Sequence, residues 1–279
     1  MIHDLIKKLP VIASVSGGKD STALCLWLIE NSIPFFAVHM NTGWEHFLTD
    51  HYLTEILPKH IGTIKWIEPP LKMVDLILKK GMFPSRTVRF CTQSLKIFPL
   101  LDWVEKKYGD QPVLNVVGIR ADESKARSRL PELEKSDFGY TWRPILKWSK
   151  KDVQLIHKKY SCPPNPLYID LGVSRVGCWP CIFARKAELK KLFETDFERY
   201  DLIANLETQV QIAAKNRYTA RGETFESLGY TPPCFFSHNG KNLPIKEVKK
   251  WACGRYEQLE LFFDNEQRSS CLEWGLCAS

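Results

Sequence analysis

Residues 11–21 read VIASVSGGKDS, a short apolar run followed by a glycine-rich turn. Val11 to Val15 is apolar and rich in β-branched residues, which is typical of a buried strand. From Thr22, the run TALCLWLIE repeats apolar residues at helical spacing. The stretch therefore predicts a strand, a tight turn and a helix in that order.

The turn has the chemistry of a phosphate-binding loop. Gly17 and Gly18 allow backbone N–H groups to approach an anion without a Cβ in the way. Ser16 and Ser21 add hydroxyl groups close to the positive end of the following helix. Lys19 can hold phosphate as a point charge, and Asp20 can hold a divalent cation such as Mg²⁺. The alternative is an ordinary glycine-rich turn before a capped helix, which six matching residues in this context disfavour.

Further strands and helices predict an α/β fold with a doubly wound, mainly parallel sheet. FFAVHM (35–40) forms a second strand, so a βαβ unit is complete within thirty residues. Two more strands are predicted at 63–68 and in VLNVVG (113–118). Helices are predicted at 50–57, 73–80, 150–160 and 189–215, and from Pro244 onward. Ligands of such sheets lie beyond the carboxyl ends of the strands, where the glycine-rich turn, Asn41-Thr42-Gly43 and Arg120 follow their strands.

The composition is that of an ordinary soluble protein. Of the 279 residues, 44% are hydrophobic and 25% are charged, and no run has the length of a membrane span. We expect a cytoplasmic protein whose nine cysteines are reduced or bound to metal rather than paired. The net charge of +7 suits a polyanionic partner, either a nucleotide or a nucleic acid.

Three cysteine-bearing segments are candidates for further chemistry. Arg86 and Arg89 precede Cys91, so they could bind phosphate or sulfate and lower the pKa of that thiol; a basic loop beside a core cysteine is the alternative. Cys178 and Cys181 form a C-x-x-C pair suited to Zn²⁺, an iron–sulfur cluster or dithiol chemistry. The tail adds Cys271 and Cys277, as metal ligands or as surface thiols.

The loop S-G-G-K-D-S resembles the PP-loop of the adenine-nucleotide α-hydrolase superfamily. Similarity to the phosphoadenylyl-sulfate (PAPS) reductase-like family runs from about Val11 to Leu192. It includes FPSR (83–86), GIRADESKAR (118–127), NPLY (165–168) and GCWPCIFARK (177–186). WRPIL (142–146) resembles the short strand that precedes the next helix in this family. The resemblance implies a nucleotide-binding domain at 1–160 and a cysteine-rich, mostly helical lobe at 161–279 that packs over the active site.

The same resemblance implies roles for individual residues. Four are expected to be catalytic: Lys19, Asp20, Arg120 and Cys91. The nucleotide is expected to contact Ser16, Gly17, Gly18, Lys19, Asp20, Ser21, Val38, Met40, Thr42, Gly43, Arg86, Gly118 and Arg120. A [4Fe-4S] cluster is expected at Cys91, Cys178 and Cys181 with a further ligand from Cys271 or Cys277, with Zn²⁺ as the alternative.

Three departures from the reductases affect the predicted reaction. Phe90-Cys91 stands where adenylyl-sulfate reductases have two cysteines, and Trp274 stands where their nucleophilic cysteine lies. The intact loop is closer to that of ATP-using members, such as the ATPases of DNA phosphorothioation and tRNA thiolases. The predicted function is α–β cleavage of ATP, with adenylylation and pyrophosphate release coupled to sulfur transfer.

The alternatives are PAPS reduction to sulfite and a nucleotide- or nucleic-acid-binding protein without turnover. Expected partners are an adenine nucleotide, a sulfur donor protein or thioredoxin, a nucleic-acid acceptor and a second copy in a homodimer. No membrane partner is expected.

Overall fold

The computed structural model describes residues 2–238 and 241–254. Its strands are β1 (Val11–Ser14), β2 (Phe36–Met40), β3 (Ile64–Ile67), β4 (Val113–Val116), β5 (Leu133–Ser136), β6 (Gly139–Trp142), β7 (Phe236–His238) and β8 (Lys241–Leu243). Its helices are α1 (Ile2–Lys8), α2 (Lys19–Glu30), α3 (Phe47–His51), α4 (Pro58–Ile61), α5 (Met73–Lys80), α6 (Phe90–Thr92), α7 (Phe98–Tyr108), α8 (Lys150–Lys159), α9 (Pro166–Asp170), α10 (Lys186–Thr195), α11 (Phe197–Thr219) and α12 (Ile245–Cys253). None of these described helices has the length and apolar composition needed to cross a bilayer.

The central sheet has six strands in the order β3-β2-β1-β4-β6-β5. All neighbouring pairs are parallel except β5 and β6, which form an antiparallel hairpin at one edge. The strand order reverses at β1, whose neighbours are β2 and β4. Such a reversal opens a crevice at the carboxyl edge, which is where the residues after β1 and β4 lie.

Two apolar layers cover the two faces of this sheet. Ala13 and other residues of β1 pack with α2 on one face, where Leu24 and Leu28 are fully buried. Ile12 and Val38 pack with Leu100 of α7 on the other face. Neighbouring strand residues point to opposite faces, so the apolar run of β1 serves both layers. The predicted doubly wound, mainly parallel sheet is therefore confirmed.

Three elements differ from their predictions in detail. The strand expected near residues 142–146 is β6, which ends at Trp142, and a turn follows. The predicted helix at 50–57 begins earlier, at Phe47, and continues through a π-helical turn at Tyr52–Ile56. The helix predicted at 189–215 is two helices, because the chain leaves helical geometry at Asp196, whose carboxylate accepts from the Arg199 N–H and caps α11.

The described chain divides into two compact units that interleave along the sequence. The first contains residues 2–70 and 92–179 and holds the six-stranded sheet. The second contains residues 71–91, 180–238 and 241–254 and is mostly helical, with the small β7–β8 hairpin. The functional division into domains 1–160 and 161–279 stays a prediction.

A buried carboxylate organises the second unit. Glu207 of α11 is only 5% exposed. It accepts hydrogen bonds from the N–H groups of Phe235, at 3.0 Å, and of Ile245, at 2.9 Å. Ile245 is the first residue of α12, so this carboxylate fills an otherwise unpaired donor at the helix start. Burial raises the pKa of Glu207, although these two hydrogen bonds partly offset that effect.

We expect Glu207→Gln to remove a pH-dependent part of the free energy of unfolding. The folded-state pKa lies above the ordinary value of 4.5, so protonated Glu207 favours the folded state. This contribution is fully present below that ordinary value and is lost as the pH rises through the folded-state pKa. Denaturant titrations at several pH values should show the wild type losing stability relative to Glu207→Gln over that range. Glu247→Gln, on α12, controls for loss of a carboxylate; a pH-independent Glu207→Gln difference would contradict the prediction.

Candidate active site

The glycine-rich turn joins β1 to α2 at the carboxyl edge of the first unit's sheet. Gly17 has a φ of +75°, a conformation that L side chains rarely adopt. The Ser21 hydroxyl donates to the Gly18 carbonyl oxygen at 3.0 Å and lies 3.1 Å from the Ser16 hydroxyl. These bonds close the turn over the first residues of α2. The predicted strand, loop and helix are therefore present, with backbone donors at the helix start.

Asp20 and Arg120 meet beside this loop. Arg120 Nε donates to Asp20 Oδ1 at 2.5 Å, and Arg120 Nη1 donates to both carboxylate oxygens of Asp122, at 2.6 and 2.7 Å. Burial disfavours the charged guanidinium, but the carboxylates, with Asp20 first, leave the pKa of Arg120 raised. The guanidinium thus stays charged at the strand edge.

The second oxygen of Asp20 has the properties of a cation ligand. The Asp20 side chain is fully buried, and its Oδ2 makes no hydrogen bond within the described residues. The Lys19 ammonium lies 3.5 Å from this oxygen. A buried carboxylate oxygen without a donor is costly, and a hard divalent cation would satisfy it. The site therefore fits the predicted Mg²⁺ at Asp20.

Gly118 allows the strand edge to approach α2 closely. A Cβ at this position would lie 2.7 Å from the Asp20 carbonyl oxygen and 2.9 Å from Ser21 Cα. Both are backbone atoms and cannot rotate away. Gly118 thus brings the chain after β4 into contact with the first turn of α2, two residues before Arg120. Its contribution is steric, and a nucleotide contact at Gly118 stays a prediction.

The loop after β2 is also ordered by its own side chains. The Thr42 hydroxyl donates to Glu45 Oε1 at 2.6 Å, and the Gly43 N–H donates to Asn41 Oδ1 at 3.1 Å. Val38 and Met40, which are also predicted to contact the nucleotide, lie in β2. The Val38 carbonyl oxygen accepts from the Val15 N–H at 2.8 Å. Residues two apart in a strand direct their peptide groups to the same side, so the peptide groups of Met40 face the same side as those of Val38, toward β1. At the level of Met40 the strand β1 has already ended, because its last residue, Ser14, pairs with Val38.

His39 holds the end of β1 in place. Its Nδ1 lies 2.8 Å from the Val15 carbonyl oxygen, which can only accept, so Nδ1 carries the proton. The ring is buried, and burial lowers its pKa. His39 therefore supports the strand that enters the glycine-rich turn.

The segment around NPLY (165–168) holds the loop from a distant part of the chain. Asn165 Nδ2 donates to the Gly17 carbonyl oxygen at 3.2 Å, and the Lys19 N–H donates to the Tyr168 hydroxyl at 3.2 Å. His157 Nε2 lies 2.9 Å from the Lys19 carbonyl oxygen. No role was predicted for any of these three residues. The Asn165-Pro166 pair indicates the start of a helix, and the structure has α9 there. The contacts with the loop join residues 148 and 149 positions apart, so no short sequence pattern indicates them.

Comparisons with known proteins identify the family of this chain. Residues 10–184 match the family model described as the phosphoadenosine phosphosulfate reductase domain. The chain belongs to this family. An uncharacterised protein of Escherichia phage 186 is 33% identical over 258 residues, covering 73% of this chain and 76% of its own. An uncharacterised protein of Methanocaldococcus jannaschii is 31% identical over 194 residues, covering 68% of this chain but only 39% of its own.

A solved PAPS reductase from Candida auris, in a phosphate complex, is 16% identical with a TM-score of 0.49, covering 64% of this chain and 87% of its own. Membership of the PAPS reductase domain family, together with the PP-loop, indicates a nucleotide-binding enzyme of sulfur chemistry.

The second unit of this PAPS reductase domain protein holds the other predicted basic residues. The guanidinium carbons of Arg86 and Arg89 lie 5.6 and 4.5 Å from the centre of the Phe183 ring. Burial lowers the pKa of both arginines, and Cys181 lies within electrostatic range of both. Cys91 lies within the same range of Arg89. The structure thus brings Arg86, Arg89, Cys91 and Cys181 into one region of the second unit.

The predicted metal ligands are only partly placed. Among residues 2–238 and 241–254, no group of three or more His, Cys, Asp or Glu side chains is arranged to hold a metal ion. Cys178 belongs to the first unit, whereas Cys91 and Cys181 belong to the second. Cys271 and Cys277 lie outside the described residues. The five-cysteine ligand set therefore stays a prediction.

Proposed function

We propose that this PAPS reductase domain protein cleaves ATP between the α- and β-phosphates, adenylylates an acceptor and couples this activation to sulfur transfer. The observation that supports the proposal best is the buried carboxylate of Asp20, which lies between Lys19 and Arg120 with one oxygen lacking a hydrogen bond. A carboxylate oxygen that can hold Mg²⁺ beside the phosphate loop supports a reaction that uses a magnesium-bound nucleotide such as ATP. Arg86 is proposed to contact the same nucleotide.

The chain's own residues can stabilise the charge that this reaction develops. The acceptor oxygen forms a bond to the α-phosphorus, the bond from that phosphorus to the α–β bridging oxygen breaks, and pyrophosphate leaves with the electron pair. Lys19, within the loop, and Arg120, which is paired with Asp20 beside it, can neutralise the leaving group. Asp20 would hold Mg²⁺, which when bound supplies further positive charge to the phosphates.

The proposed acceptor is a nucleic acid, and the proposed sulfur source is a donor protein. The net charge of +7 supports a nucleic-acid acceptor, and the thiols of Cys91 and Cys181 beside Arg89 support a role in receiving sulfur from a donor protein. A [4Fe-4S] cluster, with Zn²⁺ as the alternative, is proposed to use the tail cysteines as well. Visible absorption and metal analysis of anaerobically purified protein separate these two, since a zinc protein is colourless.

PAPS reduction is the second candidate, and the family match at residues 10–184 favours it. In that reaction a cysteine thiolate attacks the sulfonyl sulfur of PAPS, the bond from that sulfur to the phosphate oxygen breaks, and adenosine 3′,5′-bisphosphate leaves. The thioredoxin dithiol then reduces the resulting S-sulfocysteine, which releases sulfite and restores the thiol. No ATP is consumed and no Mg²⁺ is needed.

The test is to incubate anaerobically purified protein with α-labelled ATP and Mg²⁺ and to measure AMP and pyrophosphate. Parallel reactions contain a chelator, a nucleic acid or a sulfur donor. Formation of both products, abolished by the chelator, would support the proposal. Sulfite from PAPS and thioredoxin, with no AMP from ATP in any reaction, would replace it with the second candidate. Nucleotide binding without either product would indicate a binding protein.

A further inference from the structure

The outer side of α8 and the residues just before it are strongly basic. Residues 147–159 contain five lysines but only one acidic residue, Asp152. Lys151, Leu155 and Lys158 are spaced by four and three residues, so they share one side of the helix, and all three are exposed. The buried apolar residues of α8 lie on the opposite side and pack in the apolar layer that contains α2. The helix therefore carries a row of positive charge on its outer side.

These positive charges are only partly neutralised. Lys159 forms an ion pair with Glu30, and the Lys147 ammonium lies 3.5 Å from a carboxylate oxygen of Glu132. The side chains of Lys147 and Glu132 are 83% and 50% exposed, so this second pair is weak. Within residues 2–238 and 241–254, the other three lysines form no ion pair: Lys150, Lys151 and Lys158. The outer side of α8 therefore keeps a net positive charge.

Helix stability does not account for the lysines that begin α8. Lys150 and Lys151 occupy the first turn, where the helix dipole disfavours positive charge. This turn is already capped, because Ser149 and Asp152 form a capping box. A negatively charged partner on this side would offset both the unfavourable dipole interaction and the repulsion between the neighbouring lysines. The placement of these lysines therefore favours an anionic partner.

The basic segment is joined to the candidate active site near both of its ends. The Leu146 carbonyl oxygen accepts the N–H of Ala121 at 2.7 Å, and Ala121 directly follows Arg120. At the other end, His157 Nε2 lies 2.9 Å from the Lys19 carbonyl oxygen, at the start of α2. A helix with its side chains is about 10–12 Å across, so the outer side of α8 lies about one helix diameter from the phosphate loop. A partner bound there would lie beside the site.

We propose that the α8 basic face, formed by Lys147, Lys150, Lys151 and Lys158, binds the phosphate backbone of a nucleic acid. This inference rests on the proposed function, because it assigns a binding surface to the nucleic-acid acceptor. Lys151 and Lys158 lie about 10 Å apart along the helix axis. A duplex carries about one negative charge per 1.7 Å of its axis, so several phosphates can face these lysines. Such contacts position the backbone without reading its sequence.

The experiment measures binding of three labelled nucleic acids by fluorescence anisotropy over a range of salt concentrations: a DNA duplex, one of its single strands and a folded RNA. The triple variant Lys150→Gln, Lys151→Gln, Lys158→Gln should weaken binding at least about tenfold. It should also reduce the slope of log K against log salt concentration by about 2 to 3, because each lysine contacts about one phosphate. The nucleic acid that the wild type binds most tightly identifies the class of acceptor.

A second triple variant serves as the matched control. Lys59→Gln, Lys65→Gln, Lys106→Gln removes the same charge from exposed positions of α4, β3 and α7. It should change the affinity less than about threefold and leave the slope unchanged, because charges farther than the Debye length from the nucleic acid are screened. Thermal unfolding checks that both variants are folded. Calorimetry should show that both bind ATP as the wild type does, since none of the six lysines belongs to the phosphate loop.

Each outcome decides for or against the α8 basic face. A wild type that binds none of the three nucleic acids at low salt would overturn it, as would equal losses in the two triple variants. Binding to phosphatidylserine vesicles that requires the three lysines, without binding to nucleic acid, would assign the face to a membrane and overturn the proposal. The proposed reaction is tested separately by AMP and pyrophosphate formation. If neither product forms but nucleic-acid binding requires the three lysines, the binding face stands and the reaction is wrong.

Discussion

Asp20→Asn is expected to lower the rate of magnesium-dependent ATP cleavage by about a thousandfold, the size of effect seen when a preorganised electrostatic group is removed. The variant keeps the size of the side chain but removes the charge that pairs with Arg120 and the oxygen proposed to hold Mg²⁺. Steady-state release of AMP and pyrophosphate over a range of Mg²⁺ concentrations measures the effect. The loss should appear mainly in kcat, since the leaving-group charge develops in the transition state.

Asp122→Asn is the matched control for this change. Asp122 also pairs with Arg120, through Nη1, but its side chain is 50% exposed. Its loss should reduce the rate less than about tenfold, because exposed ion pairs are weak. Equal losses in the two variants would mean that Asp20 acts only by holding Arg120, and the magnesium role would then be wrong.

Gly118→Ala is expected to destabilise the folded protein by about 1–3 kcal/mol, the usual range for an overpacked interior site. The added methyl group would meet backbone atoms of Asp20 and Ser21, so α2 must shift away from the strand edge. That shift moves the phosphate loop as well. We therefore expect weaker ATP binding even under conditions in which the variant is fully folded, measured by denaturant titration and calorimetry.

Gly139→Ala separates the loss of stability from the loss of binding. A Cβ at Gly139 would lie 2.3 Å from the Val113 carbonyl oxygen, at the amino end of β4. This position is at the opposite sheet edge from the loop. The variant should be at least as destabilised as Gly118→Ala, yet its folded fraction should bind ATP normally. If Gly118→Ala also binds normally, the close approach at Gly118 serves only packing.

The parts of the fold that could be predicted are those whose hydrophobic pattern and turn residues lie within one short stretch of sequence. The strand, loop and helix at 11–30 were predictable because their periodicity and glycines lie within one short stretch. The β5–β6 hairpin was missed, since its residues are mostly half-buried and lack an apolar run. The predicted strand position near 142–146 was displaced for the same reason.

The candidate site was predictable where charged side chains directly follow predicted strands. Lys19, Asp20 and Arg120 follow strands that end at one sheet edge, so their proximity follows from topology. The pairing of Arg120 with Asp20 joins two residues that lie 100 positions apart, and no sequence spacing indicates it. Asn165, His157 and Tyr168 contact the loop from distant sequence positions, and only folding brings them there. The five-cysteine ligand set stays a prediction.

The interleaving of the two units affects how the chain can fold during synthesis. Helix α5 leaves the ribosome early, but it packs on α11, and Arg217 Nη2 donates to the Gly81 carbonyl oxygen at 3.2 Å. More than a hundred residues must therefore emerge before α5 finds its partner, and contacts of such long range slow folding. A nascent chain that ends before Phe197 would expose Met73, Leu76 and Ile77, the buried residues of α5, to chaperones and proteases.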